Sequence, residues 1–234
     1  MNAPVANRPS AIGALSALFA REIRVELRTK SLLTSMGLFA LLCIVIVGLG
    51  VRGISSNETY HRFVLAMLWV CTMFAAVVGL NRAAVSDQRK QFFSALMILP
   101  HDPALVYFVR LASTLVFLLA TQAIMIVVAV PLLKLDFFDQ PLMLAVVPLA
   151  DLGILAPGVL LSSGTSRVRG GEALLTIALL PVTVPVFLGA TGVTDALQAG
   201  LGARGALPYV LLLGICAAMF TAMGLLLYGR LNEG

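Results

Sequence analysis

Residues 81–105 read Asn-Arg-Ala-Ala-Val-Ser-Asp-Gln-Arg-Lys-Gln-Phe-Phe-Ser-Ala-Leu-Met-Ile-Leu-Pro-His-Asp-Pro-Ala-Leu. This is the longest polar interruption in a chain that is otherwise almost wholly apolar. It stands between two apolar runs, each long enough to cross a bilayer. At the helical period, Val85, Phe92, Leu96 and Leu99 fall on one stripe, and Asp87, Lys90, Gln91 and Ser94 fall opposite. Ser86 can cap a helix start, and Pro100 cannot continue one. The stretch therefore predicts a helix along the membrane face over about 86–99, followed by a stiff turn through Pro100, His101, Asp102 and Pro103. Such a helix is either interfacial filler that keeps apolar side chains out of water, or a contact element that passes force between a cytosolic partner and the spans.

The flanks of this stretch decide the class. Of 234 residues, 60 % are hydrophobic and 12 % charged, against about 25 % charged in soluble domains. The apolar runs are continuous and not alternating. Lipid cannot satisfy open backbone groups, so they are transmembrane helices. Six are expected, at about 31–51, 62–80, 105–133, 142–162, 173–192 and 206–228; a span needs about 20 residues, and the third is long enough to tilt or to run past the membrane surface. The fold class is thus an all-α membrane protein with six transmembrane helices.

Ahead of the first span, residues 1–9 read as a polar, flexible tail with Pro4 and Pro9. Residues 10–30 read as an amphipathic elbow helix. Ile12, Leu15, Phe19, Ile23 and Leu27 share one face of it, and Arg21, Arg24 and Arg28 share the other, suited to anionic headgroups. The first apolar run begins only after residue 30, which is not the pattern of a cleavable signal peptide.

Loop charge sets the orientation. With the N-terminus in the cytoplasm, the cytoplasmic segments hold Arg8, Arg21, Arg24, Arg28, Lys30, Arg82, Arg89, Lys90, Arg110, Arg167, Arg169 and Arg230. The other side holds only Arg52, Arg62, Lys134 and Arg204. Twelve against four is a clear positive-inside bias. Both termini and the 81–105 segment are expected inside. The outer connections, 52–61, 134–141 and 193–205, are too short to fold alone. The net charge of +5 is accounted for by topology. No basic cluster interleaved with aromatics points to nucleic acid.

Little in the chain promises chemistry. His61 and His101 fall on opposite faces, and no His, Cys or carboxylate cluster has metal-ligand spacing. Cys43, Cys71 and Cys216 lie singly inside apolar runs, as small buried hydrophobes do. There is no phosphate loop and no nucleophile beside a base. Asp151 is the exception, since it sits mid-span, where a carboxylate is costly unless it faces protein or water. An interhelical hydrogen bond is the leading reading, with proton relay or substrate contact as the functional one. Pro148 and Pro157 in the fourth span, and Pro181 and Pro185 in the fifth, can kink their helices or border a cavity. Glu172 should open the fifth span, where it suits the helix dipole.

An amphipathic elbow, six spans and a helix-bearing cytoplasmic loop between spans two and three together resemble the permease subunits of type-2 ABC exporters. More narrowly the chain resembles the CcmB family, the haem exporter B subunit of system I cytochrome c maturation. Four stretches carry this: Phe-Ala-Arg-Glu-Ile-Arg-Val-Glu-Leu-Arg at 19–28, Leu-Met-Ile-Leu-Pro at 96–100, Leu-Ala-Pro-Gly-Val-Leu-Leu at 155–161, and Arg-Gly-Gly-Glu-Ala-Leu-Leu-Thr-Ile-Ala-Leu-Leu-Pro-Val-Thr-Val-Pro-Val at 169–186. The last is the most specific, and the likeness runs over about 19–228.

The resemblance implies a non-catalytic permease domain over 31–230, paired with a second copy in the bacterial inner membrane. It implies a separate CcmA-like ATPase on the cytoplasmic side and CcmC-like and CcmD-like membrane partners. ATP hydrolysis would release a haem-loaded CcmE-like chaperone from the CcmC-like subunit. ATP and haem would sit on those partners, with no cofactor held by this chain. The coupling loop would be 81–105, with Asp87, Arg89, Phe92, Leu96, Leu99 and Pro100 meeting the ATPase. Asp151, Pro157, Pro181 and Pro185 remain the intramembrane candidates, and Asp151 has no counterpart in the family pattern. The alternatives are a type-2 ABC permease for another small or lipid-like substrate, and a membrane scaffold that moves nothing.

Overall fold

The computed structural model describes residues 11–54, 56–90, 103–135, 141–165 and 170–232. Seven α-helices lie among them: α1 (Ala11–Thr29), α2 (Ser31–Gly50), α3 (Asn57–Lys90), α4 (Pro103–Leu133), α5 (Met143–Thr165), α6 (Gly171–Gln198) and α7 (Gly202–Asn232). The last six are long and apolar enough to cross a membrane. They are apolar all round, as helices with lipid on one side and protein on the other must be.

Large apolar side chains lie exposed along every span, among them Leu38, Leu42 and Ile46 of α2, Val127 of α4, Leu144 of α5, Ile177 of α6 and Leu226 of α7. A water-facing surface of that kind would be untenable, and a lipid-facing one is expected. The helices form two groups. α5, α6 and α7 pack on one another, α2 packs on α3 and α4, and the groups meet where α3 lies against α6 and α4 against α5. One core cluster runs through both groups, around Met36, Leu80, Tyr107, Leu118, Leu155 and Leu179. A smaller one fills the end of the α2–α3–α4 group, around Ile44, Val64, Met125 and Leu133.

Contacts between helix ends define two faces. Tyr60 Oη donates to Leu133 O at 3.0 Å, and His61 Nε2 lies 3.3 Å from Lys134 O. The start of α3 and the end of α4 therefore share a face. At the opposite face Asn81 Nδ2 donates to Thr176 Oγ1 at 3.4 Å, which brings the end of α3 to the start of α6. Glu172 lies in the first turn of α6, as expected.

The elbow is α1, and its two carboxylates are committed to the protein. Ser113 Oγ of α4 donates to Glu22 Oε2 at 2.6 Å. The Leu32 N–H, free at the start of α2, donates to Glu26 Oε1. Lys30 makes the corner between α1 and α2 with a left-handed φ of 53°. That conformation is uncommon for a residue with a Cβ, and the Glu26 contact across the corner helps to hold it. Arg21, Arg24, Arg28 and Lys30 stay exposed. Ser113→Ala removes one charge-assisted bond, worth about 1 kcal/mol at this part-buried site. A spin label at position 20 should then report a more mobile elbow, and an unchanged spectrum would show that packing alone holds α1 down.

Two expectations need correction. The helix expected to start afresh at Ser86 does not, because residues 86–90 are the last turns of α3, which runs unbroken from Asn57 to Lys90. No glycine or proline interrupts 80–99, and extending a helix is far easier than nucleating one. Ser86 is therefore interior and not a cap. Asp87 and Arg89 belong to this extension, whereas Phe92, Leu96, Leu99, Pro100 and His101 lie outside the described residues. The outer connection expected over 193–205 is also mostly helical, since α6 ends at Gln198 and α7 begins at Gly202.

Candidate functional site: a polar cluster in the membrane core

Three spans bring one polar residue each to a common point. Asp151 lies midway along α5 and is 0 % exposed. Gln122 of α4 donates from Nε2 to Asp151 Oδ1 at 2.9 Å. The same nitrogen lies 3.4 Å from Thr72 Oγ1 of α3. The interhelical hydrogen bond expected for Asp151 is therefore present, and its donor is a carboxamide. The cluster is buried away from bulk solvent, with Thr72, Gln122 and Asp151 each at most 4 % exposed, so such a bond fixes the rotation of each helix about its axis. A turned helix would strand a polar group in hydrocarbon.

The cluster is only partly satisfied. Asp151 Oδ2 and Gln122 Oε1 are buried with no hydrogen-bond partner among the described residues. Two small cavities adjoin it. One, of about 30 Å³, lies between α3, α4 and α5 and is bordered by Trp69, Thr72, Gln122, Met125 and Met143. The other, of about 10 Å³, lies between α3, α5 and α6 and is bordered by Trp69, Ala150, Ile154 and Thr183. Trp69 separates the two.

The four prolines stand apart from this cluster. Pro148 and Pro157 lie inside α5, and Pro181 and Pro185 inside α6. None borders either cavity. Pro157 is buried next to a contact between α4 and α5, where Tyr107 Oη of α4 donates to the preceding carbonyl, Ala156 O, at 3.1 Å. Pro181 is exposed and Pro185 half-buried, on the outer side of α6. Cys71 and Cys216 are buried, Cys43 is half-buried, and all three are free thiols. Among the described residues no three His, Cys, Asp or Glu side chains gather where they could hold a metal.

Sequence reasoning singled out Asp151 and passed over Gln122 and Thr72. The signal for Gln122 was there: it is the one carboxamide inside the long run of α4, an anomaly of the same kind as Asp151. Thr72 gave none, because threonine is common in spans and usually bonds its own helix.

An amphipathic first helix, six packed spans and an internal polar joint define a polytopic helical membrane protein, an architecture that fits a permease. Residues 13–226 match the family model described as CcmB protein. The match covers nearly the whole chain, and the chain belongs to the CcmB family. No curated protein matches it. Membership makes it a multi-pass membrane protein and the permease subunit of an ABC system in cytochrome c biogenesis, one subunit among several.

Proposed function

We infer that this chain is the mechanical transmitter of that system. It couples ATP hydrolysis on a CcmA-like ATPase to release of a haem-loaded CcmE-like chaperone from a CcmC-like partner, with a CcmD-like subunit alongside. It performs no chemistry itself, and ATP and haem are held by the partners. The observation that carries this is the family match over residues 13–226.

The dimensions of α3 support it. At 1.5 Å per residue its 34 residues extend roughly 50 Å, against a hydrocarbon core of about 30 Å. The apolar part ends at Ala84, so the helix leaves the bilayer as one stiff rod carrying Asp87 and Arg89 toward the 91–102 segment. A push on that segment is then delivered along α3 to Thr72 and the polar cluster. Rigid-body transmission of this kind needs contacts that differ between the ATPase states, or nothing moves. Phe92, Leu96, Leu99 and Pro100 are the proposed contact with the ATPase. Leu96→Asp with Leu99→Asp should reduce co-purification of the ATPase at least tenfold and abolish release of holo-chaperone. Undiminished association with the ATPase would sink the proposal.

The proposed orientation places the chain in the bacterial inner membrane with both termini and the 81–105 segment inside. An even number of spans puts both ends on one side. In a cysteine-free background, Phe137→Cys should react with an impermeant maleimide added to intact spheroplasts, and Ser94→Cys should react only after permeabilisation. Labelling of position 94 from outside would invert the assignment.

A further inference from the structure

The polar cluster of α3, α4 and α5 has hydrogen-bonding capacity that the protein does not use. Gln122 is 4 % exposed, and its Oε1 has no partner. Thr72 is 2 % exposed. Threonines elsewhere in the bundle spend their hydroxyl proton on the carbonyl one turn back, as Thr114 does on Arg110 O at 2.8 Å and Thr121 on Phe117 O at 2.9 Å. Thr72 makes no such bond among the described residues. Its oxygen accepts from Gln122 Nε2, and a hydroxyl that accepts still has a proton to donate. One unspent acceptor and one unspent donor therefore sit side by side.

Both residues border the same cavity, whose volume of about 30 Å³ is set against the roughly 10–15 Å³ one water molecule needs on this measure. Trp69 borders it as well. A purely apolar void of this size stays dry, whereas polar groups left unpaired at its wall hold water. The cavity lies on the Tyr60–Leu133 side of Thr72 and Gln122, since Met125 follows Gln122 toward Leu133 and Met143 opens α5.

The geometry points to an internal water site: one or two water molecules held between Thr72 and Gln122, accepting from the Thr72 hydroxyl and donating to Gln122 Oε1. Water there completes a polar joint that otherwise closes on protein groups alone. It lets α3 shift against α4 and α5 by exchanging hydrogen bonds and not by breaking them. Neither family membership nor coupling to an ATPase is needed for this site, so its test is independent of both.

Hydroxyl radicals generated from bound water by an X-ray pulse oxidise the side chains beside that water. The full chain in lipid nanodiscs, read by mass spectrometry, supplies its own dry reference. Met125 is 4 % exposed and Met143 is 5 %, both at the cavity, while Met36 is 0 % exposed in the core of α2. Met125 and Met143 should oxidise several-fold faster than Met36. Thr72→Val, which removes the hydroxyl at similar volume, should bring both down toward the Met36 rate. Equal rates for all three methionines in the unmodified protein would show a dry void and overturn the site without any variant. Fast oxidation untouched by Thr72→Val would overturn it too, because the water would then not be held by that hydroxyl.

Discussion

Gly224→Ala should destabilise the protein by about 2–4 kcal/mol, a large effect for one added methyl group. The reason is Tyr107. Its side chain is 0 % exposed, its hydroxyl donates to Ala156 O of α5 at 3.1 Å, and its ring lies 5.5 Å from that of Tyr228 at 54°. A methyl at position 224 would overlap the phenol itself. The ring cannot step aside, because α5 holds one end and Tyr228 the flank. Overpacking a closed core costs about 1–3 kcal/mol, and losing the interhelical hydrogen bond adds about 0.6–1.7 kcal/mol in a membrane protein.

Gly214→Ala on the same helix is the control. A methyl there meets nothing within 4 Å, and alanine is the better helix former, so stability should hold or rise slightly. Midpoints of thermal unfolding in detergent, read by the fraction of monodisperse protein after heating, compare the two. Adding Tyr107→Leu to Gly224→Ala should recover part of the loss, since removing the outer ring takes away the Cζ and hydroxyl atoms that the methyl meets, and that non-additivity marks a direct contact. Equal midpoints for the two glycine variants would mean that α7 does not seat against Tyr107 as described.

What was legible in the sequence and what was not divide along one physical line. The six spans, the elbow and the burial need of Asp151 depend on local composition and length. Lipid enforces these so strongly that 31–51 and 105–133 could be placed almost to the residue against Ser31–Gly50 and Pro103–Leu133. The end of α3 was misread because the change from apolar to polar at 81 looked like the end of a helix. It marks only the end of the bilayer, and the backbone has no cause to break there. Helix partners were hidden as well. Glu22 reaching Ser113, and Asp151 reaching Gln122, depend on how each helix is rotated and where it crosses its neighbour. One chain's pattern does not carry that information. Nothing in the sequence marks Tyr107 as a packing centre, and only the bundle shows it seated against Gly224.

The intramembrane joint yields the second large effect, through an asymmetry between its two members. Gln122→Leu leaves both carboxyl oxygens of Asp151 without a donor at a site that is 0 % exposed. An orphaned buried polar group costs about 1–3 kcal/mol, more if charged. Asp151→Asn should be tolerated, because the amide oxygen still accepts from Gln122 Nε2. Replacing both residues by leucine should return part of the lost stability, since no stranded carboxyl then remains, only the Thr72 hydroxyl loses its partner, and the volume is filled. The ordering to be measured is Asp151→Asn close to the parent, the double leucine variant next, and Gln122→Leu alone the lowest. Holo-chaperone release separates structure from function. If Asp151 serves only as a joint, Asp151→Asn should release normally and Gln122→Leu should fail in proportion to its lost stability. A stable, fully assembled Asp151→Asn variant that no longer releases chaperone would instead assign the carboxyl a role that an amide cannot take, with a transferable proton as its distinguishing property.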